Sequence, residues 1–176
     1  TKEQIDIFWD LSDDIYYQII LMLIYTGVRI SEMLDLKKEN IYLDEQYFEI
    51  IDSKTENGIR KVPISDYILP FFKNWYQSSK IELLHTPDQK HFKYRNYYDS
   101  YFRPLLDRFN LDHTPHCCRH TLVSLMAEAN ISSTFNKMII GHAGAMSLNE
   151  KVYTHIDIKE LVKTVNSVYY PSFIKK

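Results

Sequence analysis

The sequence predicts a mainly α-helical domain with one small antiparallel β-sheet, an α+β fold. Three observations predict it. Only 4 glycines and 6 prolines punctuate 176 residues, too few for a chain made of many tight turns. Apolar residues recur at helical spacing through most of the chain. Residues 40–64 break that pattern, being rich in β-branched and aromatic side chains.

Each element has a local reason. EQIDIFWDLS (3–12) and DIYYQIILMLIYTG (14–27) read as helices, and Gly27 closes the second as a C-terminal stop. RISEMLDL (29–36) turns Ile30, Met33 and Leu34 toward the core. QYFEIID and GIRKVPI, separated by SKTEN, form a β-hairpin, and NIYL (40–43) adds a third strand. Helices follow over 65–79, 95–110, 115–130 and 132–142. A last helix covers 157–168, with Ile158, Leu161, Val162 and Val165 on one side. That apolar face must bury against something, its own domain or a neighbour. No internal repeat and no low-complexity segment interrupts the pattern.

With 45% hydrophobic and 25% charged residues, the chain has the make-up of one globular domain with a real core. Its apolar run IILMLIY (19–25) falls far short of the roughly 20 residues of a membrane span. No signal peptide is recognisable, and the two cysteines are adjacent, so no disulfide framework exists. A reducing, cytoplasmic setting is the expectation, without a membrane partner. The chain starts at Thr1, which suggests a larger parent protein whose N-terminal part is missing.

A net charge of −2 argues mildly against a nucleic-acid partner, but the charge is uneven. Residues 1–16 carry a net of −4 and residues 90–119 a net of +3. KYRNYYDSYFR (93–103) mixes basic and aromatic residues as DNA-contacting helices do, although a core aromatic stripe explains it nearly as well.

TPHCCRHTLVSLM (114–126) is the densest cluster of reactive side chains. Thr114 and Pro115 make a helix start, with threonine at the N-cap and proline at the first helical position. His116 falls in the first turn, where free N–H groups favour an anion. Arg119 and His120 follow at helical spacing, so they are expected on the face of His116. Cys118 belongs with Leu122, Leu125 and Ala129 on the buried side. Three readings compete: zinc, a redox pair, or a grip on an anion. Adjacent cysteines diverge on a helix, and no further cysteine completes a familiar ligand spacing. Nor do vicinal cysteines make a Cys-x-x-Cys motif. The anion grip fits best.

At this point the sequence resembles the tyrosine recombinases, the phage integrase family. TPHCCRHTLVSLM is similar to that family's His-x-x-Arg box. YTGVRISEMLDL (25–36) resembles its first arginine box and supplies Arg29, with Glu32 as the acidic residue that follows. IIDSKTENGIRKVPIS (50–65) resembles the hairpin that presents the catalytic lysine, here Lys54. IIGHAGAMSLNEKVYTH (139–155) resembles the Gly-His box and the nucleophile segment, supplying His142 and Tyr153. The likeness runs from residue 1 to about 168, and five boxes in order are far more specific than any one. Two departures stand out. Cys117 and Cys118 replace an acidic-aliphatic pair, and the stretch from His142 to Tyr153 is longer than in many members. The longer stretch resembles integrases of Gram-positive mobile elements.

The resemblance implies the tyrosine recombinase catalytic-domain fold for residues 1–176, with the core-binding and arm-binding domains absent. It implies site-specific recombination, the integration or excision of a phage or mobile element at double-stranded DNA attachment sites. Arg29 and Arg119 would neutralise the scissile phosphate, since guanidinium forks match it and keep their charge. His142 would add a hydrogen bond, and Tyr153 would attack phosphorus to leave a 3′-phosphotyrosine. His116 is the candidate base and Lys54 the acid for the departing 5′ oxygen. His120 and His155 stay outside this set. No metal, cofactor or ATP is implied. The family assembles as a homotetramer on paired sites, with a monomer expected in free solution and residues 157–173 as the segment exchanged between subunits. Two rivals share the features: a type IB topoisomerase that only relaxes DNA, and a non-catalytic DNA-binding relative.

Overall fold

The computed structural model describes residues 1–51, 59–141 and 157–174. Helix α2, Ile15–Thr26, is the element around which the rest is laid. Every residue from Tyr17 to Val28 is buried. A helix apolar on all sides has to be wrapped by others. Helices α1 (Lys2–Asp10), α4 (Leu69–Ser78) and α7 (Pro115–Glu128) do this. Asp14 caps the start of α2 by accepting from the Tyr16 N–H. Gly27 ends it in the left-handed conformation, φ 63°. A Cβ at Gly27 would stand 2.6 Å from Ile140 Cδ1 and 2.7 Å from Leu122 Cδ2. Only glycine therefore lets α2, α7 and α8 (Ser133–Ile140) meet there.

Past Gly27 the chain runs into the short helix α3, Ile30–Leu34, and then the sheet. Strands β1 (Ile41–Tyr42), β2 (Tyr47–Ile50) and β3 (Arg60–Pro63) lie in that order, antiparallel throughout. Phe48 pairs with Val62 and Ile50 with Arg60. Phe48, Ile50 and Val62 are buried, while Glu49 and Lys61 form an exposed ion pair at 3.9 Å. The expected hairpin strands and third strand are all present, although residues 52–58 between the first two lie outside the described residues.

Two expected helices differ in detail. The one expected over 65–79 begins only at Leu69, because Pro70 fits no deeper than the first turn. The one expected over 95–110 is continuous but not uniform: α5 (Tyr94–Tyr97), a π-helical turn (Tyr98–Phe102), then α6 (Arg103–Asp107). Pro104 has no N–H to give and crowds the preceding turn, and the wider π turn relieves this. Tyr97 and Phe102 from this segment are in the core, so its aromatic content is largely packing.

The last helix, α9 (Ile158–Asn166), covers its own domain. Asp157 caps it, and Leu161, Val162 and Val165 are buried against β3 and α8. Asn166 exchanges hydrogen bonds with Asp66, donating to its carboxylate at 2.8 Å and accepting its N–H at 2.9 Å. Beyond the helix, Tyr170 is 1% exposed and stacks on Tyr25, with ring centroids 4.4 Å apart. Tyr67 lies 4.1 Å away on centroids, and Trp9 donates to the Tyr25 hydroxyl at 3.1 Å. The tail is thus part of the core. Tyr170→Ala is expected to cost about 3–5 kcal/mol, as large aromatic truncations do, read as a lower midpoint in urea unfolding. A shift no larger than that of an exposed-site control such as Phe173→Ala would mean the tail is dispensable.

Candidate active site

Arg29 stands between Val28 and α3 in extended backbone and is the N-cap of that helix. Glu32, three residues on, reaches back: its Oε2 accepts the Arg29 N–H at 2.8 Å and its Oε1 accepts from the Arg29 guanidinium at 2.9 Å. A second guanidinium grips the same carboxylate. Arg60, from β3, donates to Glu32 Oε2 at 2.9 Å and to Oε1 at 3.2 Å. Its Nε donates to the Ile139 carbonyl at 2.9 Å. The Arg60 and Glu32 side chains are 6% and 7% exposed, that of Arg29 46%. Burial works to raise the Glu32 pKa, but the hydrogen bonds and charge of Arg60, with those from Arg29, outweigh it and hold the carboxyl below its usual range.

Helix α7 brings a third guanidinium. Thr114 and Pro115 start the helix as expected. The Thr114 hydroxyl caps no backbone N–H, and faces the Cys117 sulfur at 3.7 Å instead. Arg119 is 4% exposed and donates to the Gly27 carbonyl at 2.9 Å. Burial, followed by the charges of Arg29 and Arg60, pushes its pKa down to about 10, against the pull of Glu32. His116, Arg119 and His120 do not share one face. His116 and His120 are exposed and meet edge to face, centroids 4.6 Å apart, while Arg119 turns inward. At 3.6 residues per turn Arg119 lies about 60° from both His116 and the buried Leu122, and its hydrogen bond decides the direction. Cys118 is core, its thiol pushed up to about 12 by burial and then by Cys117.

The structure therefore brings together Arg29, Glu32 and Arg119, with His116 exposed on the first turn of α7. Lys54, His142 and Tyr153 lie outside the described residues. Among the described residues, no group of three or more His, Cys, Asp or Glu stands where it could hold a metal ion. Three of the six cations in 90–119 are ion-paired, Lys90 with Asp88, Arg95 with Asp99, and Arg103 with Asp107 and Asp112; of these only Lys90 meets an acid outside that stretch and so lowers its positive excess. Sequence reasoning missed Arg60. The available signal was strand alternation, which sets Arg60 on the side of Val62 and Ile64, both fully buried.

Compared with known families, residues 1–160 match the phage integrase family. The chain belongs to that family. Among curated relatives of this integrase-family domain, the transposase from transposon Tn916 of Enterococcus faecalis is 29% identical over 173 residues, covering 80% of this chain and 43% of that protein. The tyrosine recombinase XerA of Pyrococcus furiosus is 26% identical over 159 residues, covering 87% of this chain and 54% of that protein. The chain thus spans about half the length of these relatives. Among solved structures, the Tn1549 transposon integrase in complex with circular intermediate DNA has a TM-score of 0.70 at 20% identity, over 98% of this chain and 63% of that one. The XerA recombinase crystal structure has a TM-score of 0.65 at 22% identity, over 93% and 62%. These likenesses establish the integrase catalytic-domain fold, mainly α with the small antiparallel sheet.

Glu32 sets a pH dependence with a definite sign. Its native pKa lies below the ordinary value of 4.5, so its stabilisation is complete above that value and is lost as pH falls through the native one. Glu32→Gln, which removes the carboxylate charge that Arg60 grips, is expected to cost about 3–5 kcal/mol at neutral pH. It should also flatten the acid decline of unfolding free energy below about pH 4.5. An acid limb as steep as that of the unaltered protein would remove Glu32 as its source.

Proposed function

We propose that this domain cuts and rejoins double-stranded DNA at attachment sites, integrating or excising a phage or mobile element through a 3′-phosphotyrosine intermediate. One observation carries the reading: guanidiniums from distant parts of the chain, Arg29 and Arg119, converge beside a carboxylate already matched by Arg60. Such a cluster of guanidiniums is suited to an anionic ligand. A phosphodiester supplies it, and a fixed guanidinium fork is its natural partner. The names of the relatives, a transposase and tyrosine recombinases, and the DNA bound by the Tn1549 integrase support the same reading.

The chemistry then assigns roles. Arg29 and Arg119, with His142, neutralise the non-bridging oxygens. The Tyr153 oxygen attacks phosphorus, giving its proton to His116. The bond to the 5′ oxygen breaks, and that oxygen takes a proton from the Lys54 ammonium. The phosphotyrosine keeps the energy of the broken bond, so rejoining to a new 5′ hydroxyl needs no ATP. Guanidiniums supply the charge neutralisation, so neither metal nor cofactor has a step to perform.

Strand exchange joins two duplexes, so subunits must act together. We assign the working form as a homotetramer on paired sites and the free form as a monomer. In the monomer α9 satisfies its apolar face on its own domain. Residues 157–173 can make the same contacts on a neighbour at little net cost, the logic of domain swapping. No described helix is long and apolar enough to cross a membrane. Element DNA places the work in the cytoplasm of a bacterial or phage-infected cell.

Trapping on a nicked suicide substrate tests the reading. The protein should form a denaturant-resistant DNA adduct, unaffected by EDTA, and Tyr153→Phe should form none while keeping its DNA affinity. Lys54→Ala should cut slowly and be rescued by a 5′-thiolate leaving group, which needs no acid. An adduct of full yield in Tyr153→Phe overturns the nucleophile assignment, and dependence on a divalent ion overturns the metal-free one.

A further inference from the structure

We infer that Arg60 is a positioning residue of this site, fixing the Arg29 guanidinium through Glu32 and the turn at Gly141 through the Ile139 carbonyl. This deepens the recombinase reading and rests on it. Arg60 sits on the core-facing side of β3, opposite the buried Ile50, where an apolar side chain would be routine. A buried ion pair is rarely more stabilising than a well-packed apolar pair of the same volume. Stability alone does not explain the arginine.

The hydrogen bonds do. Each Glu32 oxygen is shared, Oε1 between the Arg29 and Arg60 guanidiniums, and Oε2 between the Arg29 N–H and Arg60. With Arg60 in place the carboxylate is immobilised and its charge already balanced. Arg29 is then held by one hydrogen bond from its guanidinium, with half its side chain open, and its charge is left over for a phosphate. Without Arg60, Glu32 is free to turn onto Arg29, and that pair presents no net charge. A point cation cannot substitute fully, because the three bonds to Glu32 and Ile139 need the planar fork.

The third bond reaches a second part of the site. Arg60 Nε holds the carbonyl of Ile139, in the last turn of α8, and Gly141 ends that helix with φ 83°. A Cβ at Gly141 would stand 2.9 Å from Arg60 Cδ, Nε and Cζ. The guanidinium thus packs flat against the turn that leads into the Gly-His box. One side chain ties the sheet to α3 and to the end of α8.

The test compares Arg60→Met and Arg60→Lys in the 176-residue chain, on suicide substrates with a normal or a methylphosphonate linkage at the cut site. Methylphosphonate lacks the negative charge that Arg29 is held to neutralise. Arg60→Met is expected to slow single-turnover cleavage at saturating DNA by about 100-fold, with DNA affinity nearly unchanged. On methylphosphonate the deficit should shrink by about tenfold, and Arg60→Lys should recover part of the loss. An equal deficit on both linkages, or full activity in Arg60→Met, overturns the inference. A readout without activity separates this from the recombinase reading: amide hydrogen exchange. Arg60→Met should speed exchange at the Arg29 and Gly141 N–H groups by about tenfold or more, leaving Leu23 and Leu122 in the core protected. Exchange raised equally everywhere, or unchanged at Arg29 and Gly141, overturns it. If the unaltered protein forms no adduct, the recombinase reading fails, and exchange still decides what Arg60 holds.

Discussion

The Glu32 carboxylate is the constraint on which the site depends. Arg29 and Arg60 stand close enough for Arg119 to feel their charges. Two like charges about 5 Å apart repel by about 3 kcal/mol at an effective dielectric of 20, and three cannot gather without an anion among them. Glu32 is that anion, and it has to be nearly buried to serve all of them. Its position at the first turn of α3 follows from where α2 stops. Gly27 turns left-handed, releases the chain through Val28 into Arg29, and offers its carbonyl to Arg119. A single glycine thus sets where Arg29 starts and gives Arg119 one of its acceptors.

The architecture was legible because it rests on local periodicity. The all-apolar run 15–26, the β-branched stretch 40–64 and the Thr-Pro start at 114 each declare an element within a few residues. Gly27 was readable as a stop for the same reason. The misreadings were at places where local rules compete. Pro70 and Pro104 moved a helix start and inserted a π turn without ending the helical pattern.

The site was legible only in part. Arg29, Glu32 and Arg119 stood out because they lie in motifs of characteristic spacing. Arg60 has no such motif, and its meaning comes from contacts with Glu32 and Ile139, residues 28 and 79 positions away. Such pairings are settled by tertiary packing. The direction of Arg119 was hidden for the same reason, since helical geometry leaves it between two faces and the Gly27 carbonyl chooses one. The tail could be read as needing burial, but its partners Trp9, Tyr25 and Tyr67 come from elements that only the fold brings together.

Charge placement shows how, on the proposed reading, a domain with a net charge of −2 meets a phosphate. Among its surface cations in 90–119, Lys90, Arg95 and Arg103 are engaged by neighbouring aspartates. Apart from that surface, three arginines meet one glutamate at the site. Buried charge is poorly screened and already oriented, so the Arg60 and Arg119 guanidiniums count for more than a solvated lysine, while Arg29 stands half exposed beside them. An arrangement of this kind contributes little to general affinity for the duplex and much to the single phosphate that reaches it. On the proposed recombinase reading, grip on the duplex and chemistry at one phosphate are then separate tasks, and this cluster serves the second.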